Sequence, residues 1–70
     1  MSGKQLTSII IGKDAKGQRH VVRFWNDGTW KRTQETVQDV AKLAGWLNII
    51  GAVFHGQHTE DGVTIEVVTL

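Results

Sequence analysis

The stretch VQDVAKLAGWL, residues 37–47, carries the one helical pattern in the sequence, and it decides the fold. At about 100° per residue, its apolar side chains fall on one broad face: Val37, Val40, Ala41, Leu43, Ala44 and Leu47. The polar side chains of Gln38, Asp39 and Lys42 fall on the other face. A helix with one apolar face needs an apolar partner surface, so the segments around it are expected to form a sheet.

The ends of this helix are predicted from residues that cap helices. Thr33 can cap the first turn through its hydroxyl, and Gly45 or Asn48 offers a stop at the other end. If the helix continues past Gly45, Trp46 falls opposite the apolar face and is exposed. Glycine is strongly enriched just past helix ends, which favours a stop at Gly45 with Trp46 folded back and buried against the last turn.

Three turn signals divide the remaining chain into β-hairpins. They are polar, glycine-containing clusters at residues 13–18 (KDAKGQ), 26–28 (NDG) and 59–62 (TEDG). The segments beside each cluster are rich in β-branched and aromatic residues, as strands are. The predicted order is β-β-β-α-β-β. This order is typical of an α+β two-layer sandwich, in which one helix packs on one face of an antiparallel sheet of about five strands.

Length and composition set bounds on the class of protein. A chain of 70 residues has room for one core, so residues 1–70 are expected to form a single small α+β domain. The absence of cysteine excludes disulfides and thiolate metal sites, and it favours a reducing compartment, the cytoplasm. The apolar run at residues 6–11 is shorter than a signal-sequence core or a membrane span, so we expect a soluble protein with no membrane partner.

Residues with catalytic or metal-binding chemistry are sparse. The chain has no cysteine and no Gly-x-Ser-x-Gly turn to supply a nucleophile, and the carboxylates of the predicted turns are expected to stay solvated. His20, His55 and His58 form the one ligand-like set. On a strand, His55 and His58 point to opposite faces, so a shared metal would require a bulge at Gly56. We therefore expect no cofactor, no metal and no catalytic residue, and a protein that is not an enzyme.

The second hairpin, residues 19–32, interleaves aromatic and basic side chains. Strand alternation puts Phe24 on one face and Arg23 with Trp25 on the other. An open tryptophan beside guanidinium groups can anchor a protein partner or stack on a base. Alternatively, Trp25 is covered by the N-terminal strand edge, by lysine stems or by a second protomer. The candidate partner-binding residues are Arg23, Trp25, Lys31, Arg32 and Arg19.

The turn of this hairpin decides which tryptophan is buried. A two-residue turn at Asp27-Gly28 pairs Trp25 with Trp30 and leaves both outside the core. A three-residue loop with Gly28 in the left-handed conformation instead pairs Trp30 with Phe24. The second register is favoured because a free monomer seldom exposes a patch of two tryptophans. It predicts a buried Trp30 and an exposed Trp25.

The predicted core joins one face of the helix to one face of the sheet. Its members are Leu6 or residues 9–11, Val22, Phe24, Val40, Ala44, Leu47, Phe54, Ile65 and Val67. Five strands in one sheet leave two edges, and the terminal stretch 63–70 is apolar and free of proline. We expect this stretch to form an edge suited to pairing with a second copy, which would make the protein a homo-oligomer.

The expected function is binding without catalysis. In size and economy of elements the chain resembles the small accessory proteins with which phages and other mobile elements modulate host enzymes. The resemblance covers architecture alone, assigns no residue, and implies a regulator or inhibitor of a larger macromolecule. Together with the second hairpin, it favours a protein-binding module with a protein partner.

A nucleic-acid-binding module is the alternative function. It would place Arg19, Arg23, Lys31 and Arg32 on phosphates and a tryptophan on a base. Residues 1–32 carry seven basic and two acidic side chains, but residues 33–70 carry one basic and five acidic. This acidic second half and a pI of 8.2 disfavour nucleic acid as the partner.

Overall fold

A computed structural model describes residues 3–70 and shows one antiparallel sheet with one helix on it. The elements in chain order are β1 (Leu6–Lys13), β2 (Arg19–Trp25), β3 (Trp30–Glu35), α1 (Val37–Ile49), β4 (Val53–Glu60) and β5 (Val63–Thr69). The five strands lie in the order β3-β2-β1-β5-β4. The predicted α+β sandwich with the order β-β-β-α-β-β is confirmed.

The last strand lies inside the sheet. β5 pairs with β1 on one side and with β4 on the other, so the edges are β3 and β4. The prediction that residues 63–70 form an edge is therefore wrong. The reason is that β1 pairs on both sides, with β2 and with β5, which places the last strand beside the first in the middle of the sheet. Both ladder sides of β5 are occupied and cannot pair with a second copy.

The core lies between α1 and one face of the sheet. Four hydrophobic side chains among the described residues are fully buried there, namely Ile9, Val21, Leu47 and Val68. Partly buried side chains pack around them: Leu6, Ile11, Val40, Leu43, Ala52 and Phe54. The predicted burial of Leu47 is confirmed, which fixes the helix phase.

Five predicted core residues lie on the opposite face of the sheet: Ile10, Val22, Phe24, Ile65 and Val67. The register shows this, because Ile9 is opposite Val68 in the ladder, whereas Ile10 is opposite both Val22 and Val67. The predicted side of the sheet is therefore wrong at these positions. The inner strands carry adjacent apolar residues, as at Val67-Val68, so alternation alone does not choose the face that meets the helix.

The helix begins with a capping box at Thr36. The Asp39 N–H donates to Thr36 Oγ1 over 3.1 Å, and the Thr36 N–H donates to the Asp39 carboxylate over 3.4 Å. Thr33 belongs to β3, which continues to Glu35, so the prediction that Thr33 caps the helix is wrong. With the strand ending at Glu35, Thr36 is the residue in extended conformation just before the first helical turn.

The helix ends beyond both predicted stops. Gly51 takes a φ of 78°, its N–H donates to the Asn48 carbonyl, and the Ala52 N–H donates to the Leu47 carbonyl over 2.9 Å. This pattern is a Schellman cap. Because α1 runs through Gly45 to Ile49, Trp46 is 45% exposed, and its predicted burial is wrong. Within residues 3–70, no helix is both long and apolar enough to cross a membrane.

Two glycines of this region are expected to respond in opposite ways to alanine. Gly51→Ala should lower the free energy of unfolding by about 1 kcal/mol, because alanine is strained at positive φ. Gly45→Ala should raise it by about 0.5–1 kcal/mol, because Gly45 is helical and open space surrounds its Cα. Urea unfolding of both variants measures the difference. A destabilised Gly45→Ala variant would contradict a continuous helix through Gly45.

Candidate functional site

The strands of the second hairpin pair in the predicted register, but the two faces of the hairpin are reversed: the face predicted to lie in the core points away from α1. Phe24 pairs with Trp30, the Trp25 N–H donates to the Thr29 carbonyl over 3.0 Å, and Gly28 has a φ of 85°. The three-residue loop is thus confirmed. Trp30, however, is 63% exposed, so the prediction that it is buried is wrong. Phe24 and Trp30 share the face that points away from α1, and Trp25 lies on the helix side.

The structure brings four of the five candidate partner-binding residues to one side of the sheet. Arg19, Arg23 and Trp25 alternate along β2 on the helix side, and Lys31 is opposite Arg23 in the ladder and shares that side. Arg32 is opposite Val22 and lies on the other face. The five residues do not form one continuous surface.

Arg23 is held by contacts within the protein. Its Nη1 donates to Thr33 Oγ1 over 3.1 Å and lies 3.6 Å from the Glu35 carboxylate. The Thr33 hydroxyl in turn donates to Glu35. Both charged side chains are mostly buried, so loss of Arg23 would leave a largely desolvated carboxylate without its counter-charge. This geometry assigns Arg23 a structural role.

Trp25 is half-buried, and a cation lies over its ring. The Lys4 Nζ is 4.7 Å from the ring centroid, within the range of a cation–π interaction. A lysine therefore covers part of Trp25, as one of the two interpretations of the sequence anticipated. The most exposed tryptophan of the hairpin is Trp30, on the other face.

The face of the sheet that points away from α1, here called the open face, carries many apolar side chains. It carries hydrophobic side chains from all five strands: Ile10, Val22, Phe24, Trp30, Val53, Val63, Ile65 and Val67. Ile65 is 38% and Val67 is 37% exposed, although both lie on an interior strand. Within residues 3–70, α1 is the single element outside the sheet, and it lies on the other side.

Sequence reasoning missed the open face, although a signal for it was present. The inner strands contain runs of consecutive β-branched residues, Ile9-Ile10-Ile11, Val21-Val22 and Val67-Val68. Such runs are typical of strands that are covered on both faces. A strand with one solvated face shows alternation of apolar and polar residues instead. The inner strands therefore have the composition of strands covered on both faces, whereas α1 lies on one face alone among residues 3–70.

A recess lies in the open face around Gly12. It has a volume of about 380 Å³. Its lining combines apolar side chains, from Ile10, Val22, Val63 and Ile65, with the polar side chains of Lys13, Asp14, His20 and Arg32. It forms because Gly12 has no side chain, whereas its ladder neighbours His20 and Ile65 do. Most of the lining surface is apolar, which suits a hydrophobic group more than a polar ligand.

Polar groups at the border of the recess serve the first hairpin turn. The Asp14 carboxylate accepts hydrogen bonds from the Lys16 and Gln18 N–H groups and lies 3.0 Å from His20 Nε2. The hydrogen bond with His20, followed by that from Gln18, lowers the pKa of the Asp14 carboxyl below its ordinary value. A carboxylate kept ionised and used by the turn backbone is suited to holding the turn, not to proton transfer.

The β-bulge at Gly56, which His55 and His58 would require in order to share a metal ion, is present. Gly56 has a φ of 87°, and the ladder of β4 shifts register between Phe54 and Gln57. His55 Nε2 nevertheless bonds to Thr69 Oγ1 over 2.8 Å, and His58 Nε2 lies 3.6 Å from Glu60. Among residues 3–70 no group of three potential ligands is arranged to hold a metal ion.

A fold of this size with a sheet face left open defines the class of the protein as a two-layer α+β sandwich. Comparison of the chain with protein-family models, with curated proteins and with solved structures finds no match. The function is therefore inferred from the chemistry of the surface itself.

Proposed function

We propose that the protein is a small protein-binding module and that the open face is its binding surface. The observation that carries the proposal is the exposure of Trp30, Val63, Ile65 and Val67 on one face of the sheet. Monomeric proteins rarely leave a contiguous apolar patch of this kind uncovered unless it serves an interaction. A large exposed tryptophan on such a face has the properties of an interface anchor.

The accessible surface supports an uncovered interface. A compact monomer of 7.8 kDa is expected to expose about 4,400 Å². This structure exposes 4953 Å². The excess is consistent with a small domain that completes its burial by binding.

The charges of the open face favour a protein over a nucleic acid. Arg32 is the one candidate basic residue of the second hairpin on this face, and Glu60 lies at its opposite edge. Phosphate binding depends on several basic side chains that follow the backbone together. The other basic residues of the hairpin lie on the helix side, where Arg23 is already paired with Glu35.

Photo-crosslinking from the open face tests the proposal. A photoreactive phenylalanine derivative at position 65 lies in the middle of this face, and the same group at position 38 lies on the exposed side of α1. We expect protein adducts from position 65 and far fewer from position 38 when the variants are irradiated in the cells that express them. Equal labelling from both positions, or no protein adduct from position 65, would refute the proposal.

A further inference from the structure

We propose that the partner of the open face is a second copy of this chain, packed face to face in a dimer with two-fold symmetry. This inference rests on the proposed function and names the occupant of the same surface. Four observations support it: the composition of the strands, the area of the face, its shape and its distribution of charge.

The composition of the strands points to a second sheet as the cover. Ile10, Val22 and Val67 lie side by side in one row across β2, β1 and β5, and each is next to a core residue on its own strand. β-Branched side chains on a flat sheet pack well against a similar sheet, as in a β-sandwich. A copy of the same face offers such a surface.

The area of the face agrees with a small stable dimer. The five strands contain six to eight residues each. With strands about 4.8 Å apart and about 3.3 Å per residue, the face covers roughly 550 Å² in projection. Two copies that overlap across the whole face bury roughly 1,100 Å² in projection. Side-chain relief adds to this area, which brings it close to the lower end of the ~1,200–2,000 Å² of specific interfaces.

The shape of the face is self-complementary. It carries a projection, the exposed Trp30 ring on β3, and a recess, the mostly apolar hollow at Gly12. A two-fold interface uses the same patch on both subunits, so a projection and a recess on one patch can engage each other twice.

The charges of the face are compatible with self-association. Arg32 lies on the edge strand β3, and Glu60 lies on the other edge strand, β4. Both lie on edge strands, so their charged ends can stay at the solvated rim of a face-to-face dimer. The net charge of +1 also leaves little repulsion between two copies.

Sedimentation velocity of the purified chain, with aspartate variants on each side of the molecule, tests the dimer. We expect the wild type to sediment at twice its 7.8 kDa mass at micromolar concentrations. Val67→Asp places a charge in the centre of the interface and should weaken the dimer at least about 100-fold. Ile49→Asp is the matched control, because Ile49 is 83% exposed on α1, and this variant should remain dimeric.

A second variant covers the case in which Val67→Asp does not fold. Trp30→Ser removes a side chain that is 63% exposed, so the monomer should stay folded while the dimer weakens at least about tenfold. A dimer that persists in both variants would overturn the inference, and so would a wild type that is monomeric throughout. A monomeric wild type that still crosslinks other proteins from position 65 would leave the proposed function standing, whereas a monomer without such adducts would refute both.

Discussion

Val68→Asp is expected to unfold the protein, whereas Val67→Asp is expected to leave it folded. The two residues are neighbours on β5 and identical in type, but Val68 is 0% exposed in the core under α1 and Val67 is 37% exposed on the open face. A carboxylate buried among Ile9, Val21 and Leu47 has no counter-charge among the core residues. Its desolvation costs several kcal/mol, a large share of the roughly 4–10 kcal/mol available to a domain of this size.

Circular dichroism and thermal unfolding at low concentration distinguish the two variants. Val67→Asp should keep the spectrum and a cooperative transition, because its carboxylate remains in contact with water once the chain is monomeric. Val68→Asp should lose the transition. The reverse order, with Val67→Asp unfolded and Val68→Asp folded, would mean that α1 covers the other face of the sheet.

Leu47→Ala is expected to lower the free energy of unfolding by about 2–5 kcal/mol, the range for removal of a fully buried leucine side chain. Leu47 is the one fully buried residue of α1, and it packs in the cluster of Ile9, Val21 and Val68. The other α1 side chains that pack against this cluster, Val40 and Leu43, are partly buried, so Leu47 is the main buried contact of the helix with the sheet. For a protein of this size, the loss should leave a marginally stable domain.

Ile49→Ala is the matched control for this prediction. It removes an aliphatic side chain from the same helix, but Ile49 is 83% exposed, so the change in free energy should stay within about 0.5 kcal/mol. Urea unfolding of the wild type and both variants gives the comparison. Similar effects at the two positions would contradict the phase of α1 on the sheet.

Local signals predicted the elements and part of the candidate site. The apolar positions of residues 37–47 gave the phase that buries Leu47, and the turn at Gly28 gave the pairing of Phe24 with Trp30. The end of the helix was predicted too early, at Gly45 or Asn48, because the backbone donors that cap the helix belong to Gly51 and Ala52. The start was misjudged because β3 extends through Thr33 to Glu35.

The side of the sheet was the point at which local reasoning failed. In β2 the adjacent residues Val21 and Val22 allow either face of the strand to be the core face. Assigning Val22 and Phe24 to the core also assigned Trp30 to it, because Trp30 pairs with Phe24. The structure places Val21 in the core and the stem of Arg23 beside it, with the guanidinium satisfied by Thr33 and Glu35. An arginine is tolerated on the helix side because Thr33 and Glu35, its hydrogen-bond and ion-pair partners, lie on β3. The sequence of β2 alone does not show these partners.

The sequence by itself determined the strand and helix segments, the three hairpins and the apolar stripe of α1, because these depend on residues close together in the chain. Only the tertiary structure decided that β5 lies between β1 and β4, that α1 covers Ile9 and Val68, and that Ile10 and Val67 remain open. These choices depend on contacts between distant segments. Where both faces of a strand are apolar, the sequence does not show which face joins the core. Packing against the helix decides it.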